Sequence, residues 1–339
     1  MKFLKVQKKD AEKIRKELIS NEILSSEYSV IQDEGVVLFP VIKNYLNFEI
    51  IERNVKKKQH KPKNLKDELS KLLTEKESEL LVTSFDIIGD IAIVEIPEEL
   101  ILKQQKIGET ILQIHKNVKT VLKKLGPMEG EYRVRKLEVI AGEDRTETVY
   151  KENGALMKLD LAKVYFSVRL AFERLRIANL VKPNEKVLVL FAGVGPFAFV
   201  ISKKHPGAKI TAVELNPDAV AYMNENIKLN HMTNINAIEC DARNFNEKNF
   251  DRIIMPLPKS GHEFLDVAFS SIKSGGTIHF YSWADAKNPF AEPMKKAKEI
   301  AQKSNVFIEF ENIRIVRPYA PNIVQVVLDI LVSTNQKSK

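Results

Sequence analysis

The sequence predicts an α/β protein in which a doubly wound, mostly parallel sheet fills the C-terminal half and two smaller α/β or α+β modules precede it. Short apolar runs alternate with helical patterns from about Leu161 onward, and a glycine turn follows the first of these runs. A chain of 339 residues is also too long for one ordinary core. We therefore expect modules over residues 1–60, 65–160 and 161–339.

The first module predicts a small α/β unit followed by a basic boundary. The expected elements are a strand over 3–6, a helix over 9–24 and strand-forming alternation over 28–41. The stretch from Arg53 to Lys66 then carries seven Lys or Arg and no acid. A solvated linker and a segment that contacts phosphates both remain open for this stretch.

The middle module alternates helices and strands without a glycine loop of the kind that binds cofactors. The expected elements are a helix over 65–81, a hairpin or bent strand around Gly89 in 86–96, a helix over 104–117, strands over 120–124, 132–140 and 146–151, and a turn at Asn153-Gly154. We therefore interpret this region as a separate module and not as a continuation of the sheet.

Composition limits the class of protein. The formal net charge of +8 and a pI near 9.2 are consistent with a polyanionic partner. Because Cys240 is the single cysteine, the chain has no disulfide framework. Cys240 is expected to be a buried residue without a catalytic role. Neither cysteines nor histidines have the paired spacing of a zinc site. The N-terminus lacks the apolar core of a signal peptide and no window approaches eighteen apolar residues. We expect a soluble, cytoplasmic and metal-free protein.

The strongest local signal runs through a strand, a glycine turn, a helix and a second strand that ends in an acidic residue. Val187 to Leu190 form a short buried strand, and Gly193 and Gly195 allow a sharp turn before a helix over 197–204. The next strand ends at Glu214, which is placed to accept the hydroxyls of a ribose. Since GVGPFA lacks the third glycine of a dinucleotide fingerprint, the turn favours S-adenosylmethionine over NAD.

Two further features fall at the carboxyl ends of predicted strands, where open α/β sheets place ligands. The remaining elements are helices over 218–230, 263–272 and 289–303 and strands over 235–239, 252–255, 277–283, 307–316 and 322–331. Asp241 follows one strand, and the turn Pro256-Leu257-Pro258 follows the next. Asp241 can accept from an adenine amine, with Ala242 beside the ring. Taken alone, Asp241 is better explained as a helix cap or turn residue, and its register with the other features favours the cofactor.

Five segments in this order and spacing carry a family resemblance: YRVRKLEVIAGEDRTETVYKENG, KVYFSVRLAFERLRIA, FAGVGPFA, VELNP and RIIMPLPKSGHEF. Together they resemble the archaeal and eukaryotic tRNA guanine-37 N1-methyltransferase family over essentially the whole chain. The resemblance implies a Rossmann-like class I methyltransferase sheet with S-adenosylmethionine as cofactor. It also implies binding to the anticodon loop of tRNA. We further expect that the N-terminal module contacts the tRNA elbow and that the protein is a monomer.

The resemblance also implies site residues. Guanine N1 carries a proton, so Glu173 is expected to be the general base and Arg133 to stabilise charge on O6. The expected cofactor residues are Tyr165, Phe166, Arg174, Phe191, Ala192, Gly193, Gly195, Glu214, Leu215, Asp241, Ala242 and Pro256. The expected substrate residues are Arg145, Pro256, Leu257, Pro258 and Tyr319, with Lys151 and Asn153 as further RNA contacts. Simple core packing for Tyr165 and Phe166, and a structural turn for Asn153, remain open.

Pro256 departs from the family pattern, which has Asn at the start of this turn. Proline removes an amide that holds guanine, and in some archaeal members it accompanies methylation of the tricyclic wyosine intermediate at the same nucleotide. A second activity of this kind is therefore a hypothesis. Two different functions also stay open: an aminocarboxypropyl transferase of the wyosine pathway and a tRNA-binding protein without catalysis.

Overall fold

The computed structural model describes residues 1–57, 64–70 and 72–334. The chain divides into two compact units, Met1–Glu68 and Leu69–Lys339. Residues 58–63 of the basic stretch lie outside the described residues. None of the helices within the described ranges is long and apolar enough to cross a membrane.

The first unit is an antiparallel sheet with one helix packed against it. Its elements are β1 (Lys2–Gln7), α1 (Ala11–Ser20), β2 (Ile31–Asp33), β3 (Val36–Pro40) and β4 (Ile50–Glu52), with strand order β2-β3-β1-β4. Ile14 and Leu18, one helical turn apart, bury one face of α1 against Leu4 and Phe39. The predicted helix and first strands are confirmed, whereas β4 was not predicted.

The region predicted as one helix over 65–81 contains two short helices, so that prediction is wrong. α2 (Leu65–Leu69) and α3 (Glu75–Leu80) are separated by a new helix start at Thr74. The Thr74 hydroxyl accepts from the Glu77 amide while the Glu77 carboxylate accepts from the Thr74 amide at 2.7 Å. This reciprocal capping box stabilises a helix beginning at Glu75.

The following strands form a second, four-stranded sheet. Its elements are β5 (Asp86–Ile88), β6 (Ile91–Val94), α4 (Gln104–Ile114), β7 (Thr120–Glu129) and β8 (Val134–Gly142), in the order β5-β6-β7-β8. The predicted hairpin at Gly89 is confirmed. Gly89 has φ +60°, and a side chain there would meet the Val149 carbonyl at 2.5 Å, so only glycine fits.

A hairpin of β9 (Glu147–Glu152) and β10 (Ala155–Asp160) joins this sheet to the C-terminal sheet. It turns at Asn153 and Gly154, both at positive φ, as predicted. The Asn230 and Asn226 side chains accept from the β10 backbone amides of Leu156 and Lys158 at 2.8 and 2.7 Å. The middle and C-terminal regions therefore pack within one compact unit.

The C-terminal sheet has seven strands in the order β13-β12-β11-β14-β15-β17-β16. Its elements are α5 (Ala171–Leu180), β11 (Lys186–Leu190), α6 (Pro196–Lys204), β12 (Lys209–Glu214), α7 (Pro217–Leu229), β13 (Ile235–Glu239), β14 (Phe250–Met255), α8 (Leu265–Ser271), β15 (Ile272–Asp285), α9 (Ala291–Lys303), β16 (Val306–Ala320) and β17 (Ile323–Thr334). The first five strands in this order are parallel, and β17 runs antiparallel to both of its neighbours. The predicted doubly wound, mostly parallel sheet is confirmed.

The two faces of this sheet bury two separate cores. Val187 and Val189 of β11 pack with α5, α6 and α7, whereas the alternate residues Leu188 and Leu190 pack with α8 and α9. Alternation along a strand produces this division, because successive side chains point to opposite faces. The order of the strands reverses between β11 and β14, and a ligand-binding crevice is expected at that point.

Candidate active site

A cleft of about 630 Å³ opens at the carboxyl ends of the parallel strands. It brings together predicted residues from all parts of the second unit: Arg133, Tyr165, Phe191, Gly193, Glu214, Leu215, Asp241, Ala242, Pro256, Leu257 and Tyr319. A second cavity of about 320 Å³ adjoins it and contains the predicted residues Phe166 and Pro258. The two cavities share Met128, Arg133, Arg135, Tyr165, Trp283 and Tyr319.

The glycine turn forms the floor of the cleft, but its two glycines have different tasks. Gly193, at φ +56°, lines the cleft, and a side chain there would have only the Tyr165 carbonyl within contact distance. Gly195, at φ +89°, is buried, and a Cβ would meet Phe199 at 2.9 Å and Met223 at 3.0 Å. Gly195 therefore allows the core to close behind the turn and does not form the cleft wall.

Ala192 has a similar structural task. Its side chain is buried, and its amide donates to the Val213 carbonyl at 3.0 Å. Its carbonyl accepts from the Gly195 amide at 2.9 Å. Ala192 and Gly195 thus shape the turn, and their contact with the cofactor stays a prediction.

The Glu214 carboxylate is fixed by three backbone amides. It accepts from Gly193 at 2.7 Å, from Leu215 at 3.0 Å and from Asn216 at 2.8 Å. Because a carboxylate has about four lone-pair sites, about one site remains that could accept from a hydroxyl of a ligand. The bonds orient Glu214 and link it directly to the glycine turn.

Asp241 lines the cleft and also caps a short helical turn. Its carboxylate accepts from the Arg243 amide at 2.8 Å and lies 3.3 Å from the Arg243 guanidinium. Asp241 therefore both caps the helical turn and lines the cleft, as the two interpretations of its sequence position predicted. Cys240 beside it is only half-buried and lines the cleft, so its expected role as a buried filler is corrected.

The Pro256-Leu257-Pro258 turn separates the two cavities. Pro256 and Leu257 line the cleft, and Pro258 lines the second cavity. The Trp283 amide donates to the Pro258 carbonyl at 3.0 Å, so the turn is fixed to β15. Pro256 offers this site no side-chain donor or acceptor.

Arg133 lies where the two cavities meet. It has φ +54°, and its guanidinium carbon is 5.6 Å from the ring centre of Tyr165 and 5.3 Å from that of Trp283. The Trp283 ring also stacks on Tyr319, with ring centres 4.2 Å apart and planes 26° apart. A planar cation held between aromatic faces is positioned to pair with an oxygen of a bound ligand.

Glu173 lines neither cavity, so the structure does not bring it to the predicted acceptor position. Its side chain is 3% exposed, accepts from Arg176 at 2.7 Å and accepts from the Tyr281 hydroxyl at 2.7 Å. Burial and the Glu173 charge raise the pKa of Tyr281 well above its usual value, which keeps the phenol a donor. Tyr281 and Trp283 are two residues apart on one face of β15, so Glu173 lies one side-chain layer from the cavities.

Two predicted arginines have protein partners instead of cleft positions. Arg174 is 1% exposed, and its guanidinium donates to both oxygens of Glu152 at 2.7 and 2.6 Å. Arg145 donates to both oxygens of Asp90 at 3.0 and 2.5 Å and to Glu143 at 2.7 Å. The bond to Asp90 raises the pKa of Arg145 further above its usual value. Both side chains hold elements of the protein together, and neither lines the two cavities described above; cofactor contact for Arg174 and RNA contact for Arg145 stay predictions.

Several lining residues were not predicted from the sequence. They are Trp283, Arg135, Phe264 and Asn216 of the cleft and Arg169 and Arg317 of the second cavity. Trp283 is the only tryptophan of the chain and lies at the end of a predicted strand. That position at the edge of the sheet could have indicated that it lines the site. Asn153 lies at φ +46° in the β9–β10 turn, as a structural turn residue would, and Lys151 is exposed beside it.

The strand order and the position of the cleft define a Rossmann-like methyltransferase sheet. Residues 148–309 match the TRM5/TYW2 methyltransferase domain family, residues 65–146 the TYW2 N-terminal domain and residues 4–49 the tRNA methyltransferase 5 N-terminal domain. The chain belongs to the TRM5/TYW2 methyltransferase family.

Individual relatives cover nearly the whole chain. The tRNA (guanine(37)-N(1))-methyltransferase Trm5b of Pyrococcus abyssi is 41% identical over 97% of this chain and 98% of the relative. Its crystal structure matches with a TM-score of 0.78 over 98% of this chain and 99% of that one. The complex of aTrm5 with tRNALeu matches with a TM-score of 0.83 at 34% identity, over 98% and 99% of the two chains. The tRNA(Phe) (4-demethylwyosine(37)-C(7)) aminocarboxypropyltransferase of Pyrococcus horikoshii is 36% identical over 79% of this chain and 96% of the relative.

Proposed function

We propose that this protein transfers the methyl group of S-adenosylmethionine to N1 of guanosine 37 in tRNA. The observation that carries the proposal is the meeting of two cavities at Arg133. On one side lie the glycine turn, Glu214 and Asp241, and on the other lie Pro258 and additional cations. The full-length similarity to tRNA (guanine(37)-N(1))-methyltransferases supports the same reaction.

The residues of the larger cleft fit the cofactor. Gly193 leaves the floor open, Glu214 presents a carboxylate fixed by three amides, and Asp241 presents another beside Ala242. Glu214 would accept from the ribose hydroxyls and Asp241 from the adenine amine. When bound, the cofactor supplies a methyl group attached to a sulfonium. No nucleophile from the protein is then required.

Arg133 supplies the charge that the acceptor base needs. Removal of the N1 proton moves negative charge to O6 of guanine, and a cation placed there lowers the energy of that state. The rings of Tyr165 and Trp283 face the Arg133 guanidinium, and its N–H groups are proposed to donate to O6.

Glu173 is proposed as the base that removes the proton, and it must first leave its present partners. Arg176 and Tyr281 together donate several hydrogen bonds to its two oxygens. These hydrogen bonds hold the Glu173 carboxylate away from the second cavity. Binding of the RNA would thus have to draw Glu173 across the one layer that separates it from the second cavity.

The RNA partner is proposed from the charge around the second cavity. Arg133, Arg135 and Arg317 all line it, whereas its carboxylates Asp86 and Glu95 are paired with Arg169 and Lys124. A base in an anticodon loop would have to leave its stack to reach N1 chemistry in such a cavity. The first unit is proposed to contact the tRNA elbow, because shape is the main feature that an RNA helix offers.

A pair of tRNA transcripts tests the reaction. The protein is incubated with labelled S-adenosylmethionine and a transcript that carries G37, or the same transcript with A37. We expect label only in the G37 transcript. Absence of label in the G37 transcript overturns the proposed function, and equal label in both transcripts overturns the position.

Pro256 supports a second proposed substrate at the same nucleotide. It lines the cleft and has no amide that would select guanine. We propose that tRNA bearing the demethylwyosine intermediate is also methylated. No transfer to that tRNA, under conditions where the G37 transcript is methylated, would refute this second activity. The mass of the product distinguishes a methyl from an aminocarboxypropyl group.

A further inference from the structure

Trp283 occupies the wall shared by the two cavities and is the only tryptophan of the chain. Its backbone amide donates to the Pro258 carbonyl at 3.0 Å. The side chain is therefore attached to the same rigid part of the molecule as the Pro256-Leu257-Pro258 turn. Any ligand that reaches from one cavity to the other passes the indole.

The two faces of the indole have different neighbours. Tyr319 stacks on one face with ring centres 4.2 Å apart, which leaves no room for a second group there. The Arg133 guanidinium carbon lies over the indole, 5.3 Å from its centre, and is 5.6 Å from the centre of the Tyr165 ring. Because Tyr319 fills one face, we infer that Arg133 lies over the other. A flat cation thus occupies the position in which a flat base could lie against the indole.

The edge of the indole adds an independent sign of a ligand. Nε1 is buried and has no hydrogen-bond acceptor within the described part of the chain. A buried N–H without an acceptor is unfavourable, and native proteins contain few of them. An oxygen of a bound molecule would satisfy this donor, which lies in the ring plane and leaves the ring face available for stacking.

We propose that the indole of Trp283 is the stacking platform for the acceptor purine and that its Nε1–H donates to an oxygen of the same nucleotide. This inference rests on the proposed function. Entry of the purine displaces the Arg133 guanidinium from the ring face toward the edge of the base, where it can pair with O6. Tyr319 supports the indole from behind.

The fluorescence of the single tryptophan tests the inference in the unmodified protein. Three probes are titrated: S-adenosylhomocysteine alone, a tRNA transcript with G37, and the same transcript without a base at position 37. We expect strong quenching only by the G37 transcript. Equal quenching by the baseless transcript overturns the stacking, and quenching by S-adenosylhomocysteine alone would place Trp283 in the cofactor subsite instead.

Two substitutions separate the ring from its N–H. Trp283→Phe keeps a ring and loses the donor, and we expect about threefold to tenfold weaker binding of the G37 transcript. Trp283→Leu also loses the ring, and we expect at least about tenfold weaker binding. Phe307→Leu, which removes an aromatic side chain that is 60% exposed on the same sheet, is the matched control and should leave binding unchanged.

The affinity for S-adenosylhomocysteine should stay within about twofold in the Trp283 variants, and thermal denaturation shows whether each variant is folded. If Trp283→Phe and Trp283→Leu are both folded and both bind the G37 transcript as tightly as the wild type, the inference is refuted. If Trp283→Leu does not fold, Trp283→Phe and the quenching experiment still decide. Failure of the wild-type protein to methylate G37 would instead count against the proposed function.

Discussion

Arg133 is the single residue on which the proposed chemistry depends most. Replacing it by alanine removes the cation proposed for O6, and we expect the single-turnover rate on a G37 transcript to fall about 10²–10³-fold. Arg133→Lys keeps the charge but loses the planar fork, so its rate should lie between those of the wild type and Arg133→Ala. An Arg133→Ala protein with the wild-type rate would remove Arg133 from the mechanism.

The Arg174–Glu152 pair supports a second prediction at this scale. Both side chains are almost fully buried, at 2% and 4% exposure, so loss of one leaves an uncompensated charge. Arg174→Met should lower the free energy of unfolding by about 3–5 kcal/mol, measured by urea denaturation. Arg243→Met, which breaks an exposed pair with Asp241, should cost at most about 1 kcal/mol. A stable Arg174→Met protein with weakened cofactor binding would return Arg174 to the cofactor site.

The sequence predicts the position of a residue when that position follows from local geometry. It does not predict the role of a side chain whose partner is distant in the chain. Gly193, Glu214 and Asp241 follow strand ends, so their meeting at one edge of the sheet was predictable. The partner of Arg174, in contrast, is 22 residues away, and Asp90, one of the two carboxylates that pair with Arg145, is 55 residues away. An arginine that pairs with a carboxylate of the protein and an arginine that binds a ligand look the same in the sequence.

The glycine turn between β11 and α6 is the element that forms the floor of the site. Gly195→Ala places a Cβ 2.9 Å from Phe199 at φ +89° and should destabilise the fold by about 1–3 kcal/mol. Gly193→Ala has space for its Cβ and should cost about 1–2 kcal/mol, but it narrows the cleft. We therefore expect Gly193→Ala to weaken cofactor binding more than it lowers stability. Calorimetry measures the affinity for the cofactor, and urea denaturation measures the free energy of unfolding. If Gly193→Ala and Gly195→Ala showed the same ratio of lost affinity to lost stability, the different roles given to the two glycines would be contradicted.

Strands β15 and β17 carry a buried charged group that links stability to pH. His279 Nδ1–H donates to the Asp329 carboxylate at 2.6 Å, and Nε2 accepts from the Arg252 guanidinium at 2.7 Å. Arg176 also donates to Asp329. Burial lowers the pKa of His279 below its usual value of 6.5. The native ring is therefore neutral where the unfolded ring takes up a proton, so stability is present above about pH 6.5 and is lost as pH falls.

Urea denaturation at pH 7.5 and pH 5.5 measures this loss. His279→Asn keeps a donor for Asp329 and cannot take up a proton, so its stability should change less between the two pH values than that of the wild type. Hydrogen bonds from His279 and Arg176 lower the pKa of Asp329 despite its burial. The stability that is lost when Asp329 takes up a proton is therefore lost below pH 5.5. Equal changes in the two proteins would show that His279 does not carry the effect.

Element boundaries show where tertiary structure overrides the sequence pattern. The apolar spacing over 65–81 favours one helix, but the capping box at Thr74 begins a new one. Its Thr-x-x-Glu signature was present in the sequence and could have divided the prediction. β4, in contrast, is only three residues long and exists because its backbone pairs with β1, which no local pattern indicates.

At the scale of the whole molecule, the two compact units suggest a division of labour. Deleting residues 1–60 should weaken tRNA binding more than it slows methyl transfer at saturating tRNA, because the second unit contains both cavities. Equilibrium binding and single-turnover rates measure the two effects, and thermal denaturation shows whether the remaining chain is folded. An unchanged binding constant for the shortened protein would refute the elbow contact proposed for the first unit.

The central claim is that the protein methylates N1 of guanosine 37. Digestion of a G37 tRNA transcript after reaction, followed by mass spectrometry of its nucleosides, tests it most directly. We expect 1-methylguanosine, located at position 37 by sequencing of the fragments. Recovery of only unmodified guanosine, or of a product at another position or with an aminocarboxypropyl group, would contradict the claim.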